Sequence, residues 1–315
     1  MPISGAPKPI SCSRAGSPSD QGLIAHDTGA LRTAPNDMDA MNETRHQTSA
    51  RSGPETTGPV LSGGPKRADT GSFDGPKRAI KAFIIHLARA TDRQPQVARL
   101  IDSLPMRADV IDAVDGRSLD ADTIRRVYRR SVHKPCYPFA LGTNEIACFL
   151  SHRKAWQAIV DQKIDAGFVV EDDVELTPEF AAAFQAALSL VDHDSFIRFP
   201  FRERETGREV LNIDGVRVIA PVPVGLGMVA QLIGRAAAER LLAATEVFDR
   251  PVDTTAQMNW VTGLKPLSVL PGGVREVSVR LGGSTIQKSR SLPDKLRREI
   301  LRPLYRWKIK SHSLK

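Results

Sequence analysis

Three consecutive carboxylates, Glu171-Asp172-Asp173, follow directly on an apolar run, Gly167-Phe168-Val169-Val170. Three adjacent acids repel one another and gain little from folding unless something positive joins them. Oxygen ligands of this kind suit a hard divalent cation such as Mg²⁺ or Mn²⁺. The apolar run reads as a strand covered on both faces. Its C-terminal end would then hold the acids where open α/β sheets bind ligands. Alternation along a strand puts residues i and i+2 on one side. On that reading Glu171 and Asp173 share an ion and Asp172 faces elsewhere. The competing reading is a solvated acidic turn before a helix, with Asp173 or Thr177 as its N-cap.

The elements that position these acids are legible in chain order. Ala79–Leu87 reads as a first strand, followed by a polar loop and a helix carrying Val97, Leu100, Ile101 and Leu104, which Pro105 stops. Asp109–Val114 is a second strand closing on the turn pair Asp115-Gly116, so the three form a βαβ unit. A weaker helix is expected at about 120–131. Thr143 or Asn144 can cap a further helix whose buried stripe is Ile146, Phe149, Leu150, Trp156, Ile159 and Val160. Glu145 and His152 fall two turns apart on that helix, beside Cys148 and at the edge of its apolar face. For His152 the reading as a hydrogen-bonded core residue stands beside direct catalysis. Beyond the acids, Pro178 opens a helix through Leu190, and strands are expected at Ser195–Pro200, Val216–Ala220 and Val229–Ile233. Residues 202–215 read as a flexible loop, Gly234–Thr245 as an alanine-rich helix and Arg250–Asp253 as a short acidic turn.

Composition bounds the answer. The chain has 315 residues, enough for one large α/β domain or two small ones, with 41% hydrophobic residues and a net charge of +8. Cys12, Cys136 and Cys148 are too scattered for a disulfide framework or a zinc motif, which favours a reducing compartment. No apolar run approaches a membrane span and no secretory signal is visible, so the expected location is cytoplasmic. Residues 1–79 are crowded with Pro, Gly, Ser and Thr and read as disordered. The charge sits at the other end: residues 286–315 hold ten Lys/Arg against two Asp/Glu. There Leu296, Ile300, Leu304 and Trp307 recur at helical spacing, interrupted by Pro303. Such a basic amphipathic tail fits the surface of an anionic membrane, a nucleic acid, or a frayed solvated helix. The resulting division is 1–79 disordered, 80–290 a folded α/β domain and 291–315 a basic tail.

In their order these motifs resemble glycosyltransferase family 25. The resemblance rests on Ile85-His86-Leu87 with Asp92-Arg93, Ala113-Val114-Asp115-Gly116, the block Asn144–His152 and Glu171-Asp172-Asp173. Pro251-Val252-Asp253 and Ser284-Thr285-Ile286 complete it. His86 stands where the family carries Asn, and Asn144 and Ala147 stand where it carries Gly. The resemblance implies a GT-A-like nucleotide-sugar-binding sheet flanked by helices, over about 80–290. It implies a metal, Mn²⁺ or Mg²⁺, on Glu171 and Asp173, and Asp172 on ribose or sugar hydroxyls. His86, Asp92, Arg93 and Asp115 would line the nucleotide pocket, with Arg93 toward phosphate, and Ser151 and His152 would support the acids. Asp253 is the implied base for the acceptor hydroxyl and Glu145 its reserve. The reaction so implied is inverting transfer of a hexose, galactose or glucose, from a UDP-sugar to a lipopolysaccharide or other surface glycan at the inner face of the cytoplasmic membrane. Two readings stand against it: an inactive member serving as a binding module in polysaccharide assembly, and a metal-dependent sugar-nucleotide hydrolase or nucleotidyltransferase. A nucleotidyltransferase calls for a Gly-rich phosphate loop after the first strand, and Ala88-Arg89-Ala90-Thr91 is not one.

Overall fold

The structure, a computed structural model, describes residues 78–281 and 292–313. The description concerns the unit Pro76–Lys315. The expected disorder of residues 1–79 thus falls, apart from Arg78 and Ala79, outside the described residues. Ser284-Thr285-Ile286 does as well.

Apolar runs form the centre of an eight-stranded mixed sheet. Strands β1 (Ile80–His86), β2 (Ala108–Asp112) and β3 (Ala166–Glu171) run parallel, with β1 in the middle. Helix α1 (Gln94–Ser103) makes the first crossover, and Leu104 leaves it in extended conformation just before Pro105. The second runs through a short α2 (Ala121–Val127), capped by the Asp120 side chain, and the long α3 (Thr143–Asp161). On the far side of β3 lies antiparallel β8 (Ala230–Gly234), then β5 (Phe196–Arg198), β9 (Leu267–Leu270), β7 (Val216–Pro221) and β6 (Gly207–Ile213). Strand β4 (Val174–Leu176) pairs outside this sheet with β10 (Val274–Glu276).

Alternation sorts the side chains into two cores. Ala82, Ile84, Phe168 and Val170 pack with α1 and α4 (Phe180–Leu190) on one face. Phe83, Ile85 and Val169 pack with α3 and α5 (Arg235–Ala244) on the other. The expected layered α/β arrangement holds, and β3 is buried from Ala166 to Val170.

Three local expectations are overturned. Residues 207–213 are not a flexible loop but the edge strand β6, hydrogen-bonded along β7. The turn between them is Asp214-Gly215, both at positive φ (48° and 81°), the backbone that two-residue hairpins require. The strand escapes notice because its exposed, charged surface gives no apolar alternation. Arg250–Asp253 is no plain turn, since α6 (Val252–Thr255) begins there and α7 (Asn259–Thr262) follows. Pro303 does not interrupt α8 (Leu292–Ser313).

Helix α8 is fastened to the body. Asp249 and Arg250 are fully buried and pair at 2.7 Å. Asp249 also accepts the backbone N–H groups of Val132 (2.7 Å) and His133 (2.9 Å). Arg250 donates to the carbonyls of His133 and Pro135 and, at 2.7 Å, to the Tyr305 hydroxyl on α8. Burial alone would raise the Asp249 carboxyl, but the Arg250 pair and the two N–H donors hold it below its usual range.

Candidate active site

Strand β3 stops at Glu171, so strict alternation does not extend through the acids, and Asp172 and Asp173 sit in a turn. That turn is clamped from both sides. The Glu171 N–H donates to the Val229 carbonyl (2.9 Å) and the Asp172 N–H to the Ile85 carbonyl (3.1 Å).

Asp172 turns inward. Its Oδ1 accepts from Arg93 at 2.7 Å and its Oδ2 lies 2.7 Å from His86 Nδ1, with all three residues buried. Burial alone would lower the Arg93 pKa, yet Asp172, backed by Asp173 and Asp92, raises it on balance. His86 thus meets Asp172 rather than either of the compartments described below. The change from Asn alters what orients an acid.

Asp173 is the strained member. Desolvation, then Glu171 and Asp172, push its carboxyl up to about 7 against the opposing pull of Arg93. Arg93 reaches its Oδ2 only at 3.4 Å, and its Oδ1 is buried without a hydrogen-bond partner. An orphaned buried carboxylate oxygen beside two more acids is the environment a divalent cation neutralises. The orphaned Asp173 oxygen, with Glu171 among the charges acting on it, is of the chemical type a hard ion takes. Glu171 also belongs to a second group, Cys148, His152 and Glu171, whose ligand atoms lie within 4.8 Å of one another. His152 Nε2 is 3.2 Å from Glu171 Oε1. Desolvation and the surrounding carboxylates push the Cys148 thiol well above its usual range, so a softer ion binding there must first displace a proton.

Two cavities meet at this point. The first, about 190 Å³, is lined by Arg93, Val114, Gly116, Ser151, Asp172 and Asp173. The second, about 500 Å³, is lined by Glu145, Asp253, Tyr137, Phe139, Tyr305 and Gln257, with Arg302 and Arg306 from α8. Cys148, Glu171 and Glu276 line both. Glu171 thus stands at the junction.

The remaining predicted residues divide. Ser151 ties α3 to the loop after β2, accepting from the Val114 N–H and donating to the Ala147 carbonyl. Glu145 Oε2 accepts the Gly142 N–H at 2.7 Å, closing the first turn of α3. Asp115 accepts from Arg89 (2.6 Å) and the Arg117 N–H (2.9 Å) at the rim, which lowers its pKa. Asp92 is exposed and lines neither cavity. Asp253 sits on α6 facing the second cavity. Its Oδ1 accepts from the Thr254 N–H (2.6 Å) and hydroxyl (3.1 Å), and its Oδ2 from the Gly227 N–H (3.3 Å).

A model of glycosyltransferase family 25, described as an LPS biosynthesis protein, matches residues 79–256, more than half of the chain. The chain belongs to glycosyltransferase family 25. Among curated members, a bovine (Bos taurus) probable inactive family 25 member 3 is 28% identical over 189 residues, 57% of this chain and 30% of that protein. Procollagen galactosyltransferase 1 of Danio rerio is 30% identical over 124 residues, 38% of this chain and 20% of that one. The chain therefore spans less than a third of the length of these relatives. A solved glycosyltransferase involved in glycosylation of the major capsid of PBCV-1 overlaps at a TM-score of 0.27 and 12% identity, over 53% of this chain and 65% of its own.

The geometry exposes what the motifs left out. Glu276 is a fourth carboxylate at the junction, delivered by β10, where it pairs in register with Val174. The Val277 N–H donates to the Asp173 carbonyl at 2.8 Å, so β10 is stitched to the acid turn itself. Val274-Arg275-Glu276-Val277 does not alternate, so this three-residue strand left no periodic signal in the sequence. Tyr305, Arg302 and Arg306 were also missed as lining residues, because a basic tail reads as solvent-facing. The family match stops short of all four.

Proposed function

We propose that this family 25 chain transfers a hexose, galactose or glucose, from a UDP-sugar to a hydroxyl of a saccharide acceptor, with inversion. The observation that carries the reading is the pair of cavities joined at Glu171. One is acidic and holds the orphaned Asp173 oxygen; the other is aromatic and faces Asp253.

The first cavity is the donor side. Arg93 and His86 engage both Asp172 oxygens, so Asp172 serves to hold the Arg93 guanidinium at the cavity wall. Glu171 and Asp173 would hold a divalent cation, Mn²⁺ or Mg²⁺, whose chemistry when bound is to neutralise charge on a departing diphosphate. His152 orients Glu171 from its buried side. The second cavity is the acceptor side. Tyr137, Phe139 and Tyr305 offer apolar faces and polar edges to sugar rings. Asp253 takes the proton from the attacking hydroxyl, and the Gly227 and Thr254 donors hold its carboxylate in place. Glu145, on the same cavity wall, is the alternative base.

A second reading, a binding module without turnover, is favoured by one feature: both Asp253 oxygens already accept hydrogen bonds. The deciding experiment is two-tiered. UDP with Mn²⁺ should raise the melting temperature, and the Glu171→Ala/Asp173→Ala variant should lose that rise. A panel of UDP-sugars with oligosaccharide acceptors should then yield a transferred hexose. Binding without transfer selects the module, hydrolysis without transfer selects the hydrolase, and no metal-dependent binding at all removes both cavity assignments.

A further inference from the structure

A helix with a single apolar stripe buries that stripe against its own protein. Helix α8 does not. Ile300, Leu304 and Trp307, at i, i+4 and i+7, form one stripe and are 58%, 52% and 67% exposed. The residues buried against the body are Tyr305 and Ile309, one turn apart on a different face. Between these faces stand exposed Lys308 and Lys310, with Arg302 and Arg306 toward the second cavity. Nothing among the described residues covers the outer stripe. No helix among them is long and apolar enough to cross a membrane.

We infer that the Ile300–Leu304–Trp307 face of α8 docks this chain on an anionic lipid surface. Charge decides the occupant. Large apolar side chains, one of them Trp, flanked by lysines and little acid, form the pattern that enters the headgroup boundary. An anionic leaflet attracts near-surface basic residues, whereas a second copy of this basic helix would be repelled. The helix is held in place by Tyr305 and Arg250, so the stripe is presented on a fixed mount rather than a loose tail. Its inner face lines the second cavity, so docking sets that cavity beside the lipid. That the surface also presents the acceptor rests on the transfer reading above; the docking does not.

The test is sedimentation of the full chain with phosphatidylcholine vesicles, with and without phosphatidylglycerol, at low and high salt. The anionic vesicles should retain the protein and the neutral ones release it, with binding falling as salt rises. Ile300→Ser/Leu304→Ser/Trp307→Ser should lower vesicle affinity about ten-fold or more, and Lys308→Glu/Lys310→Glu roughly as much. Sedimentation velocity on the same variants reports self-association. Equal recovery with and without vesicles, variants that bind like the parent, or a change in self-association alone each overturn the docking. Melting shifts with UDP and Mn²⁺ on these variants should match the parent, because none of the five residues lines a cavity. Failure of the donor reading therefore shows separately from failure of the docking.

Discussion

The inward turn of Asp172 has an energetic consequence at the level of single residues. A buried carboxylate deprived of its cation is strongly destabilising, by about 3–5 kcal/mol. Arg93→Met should lower stability by about that amount in urea denaturation, and Asp172→Asn added to it should restore a large part. Asp173 should behave in the opposite sense. Its Oδ1 lacks a partner and its neighbours repel it, so Asp173→Asn should leave the metal-free protein as stable as the parent or more so while abolishing the Mn²⁺-dependent melting shift. The acid triplet was legible in the sequence as three carboxylates directly after Gly167–Val170, with a solvated acidic turn as the competing reading. Which acid faces which way was not. That depends on the strand ending at Glu171, and the residues that fix it, Arg93 and His86, are 79 and 86 positions from Asp172.

Among the elements, most strands with long apolar runs announced themselves, whereas the buried β9, four residues following Lys265-Pro266, went unread along with the exposed or very short strands. β1, β3 and β8 are buried almost throughout; β6 is charged and exposed, and β4 and β10 have three residues each. The β10 approach depends on Gly272-Gly273. At Gly273 φ is +65°, and an added Cβ would lie 2.3 Å from the Phe180 Cα. Gly273→Ala should destabilise by about 1–3 kcal/mol in chemical denaturation, from strain alone. It should weaken UDP–Mn²⁺ binding further by moving Glu276. Pro303 misleads for a related reason: a proline costs an isolated helix a hydrogen bond, but Tyr305 and Ile309 dock α8 whether or not that bond forms.

At the scale of the molecule, the Asp249–Arg250–Tyr305 cluster fastens loop 131–135, the start of α6 and α8 together. Asp249 has a depressed folded-state pKa, so its contribution is present above the unfolded value of about 3.9 and is lost as pH falls through the folded one. Melting temperature should drop steeply below about pH 4, and Asp249→Asn should show a lower plateau at neutral pH with a shallower acid fall. Tyr305→Phe should cost about 1–2 kcal/mol, since it strips an acceptor from a buried guanidinium.

The order of strands across the sheet carries a last consequence. Leu267–Leu270 enters the sheet after the family-matched stretch has ended, yet it is threaded between Phe196–Arg198 and Val216–Pro221. A fragment cut at Ala256 would not be a trimmed version of the same fold. It would be a sheet with a missing plank, its outer hairpin left with no neighbour to lean on, and more of it than of the uncut chain should be recovered as aggregate.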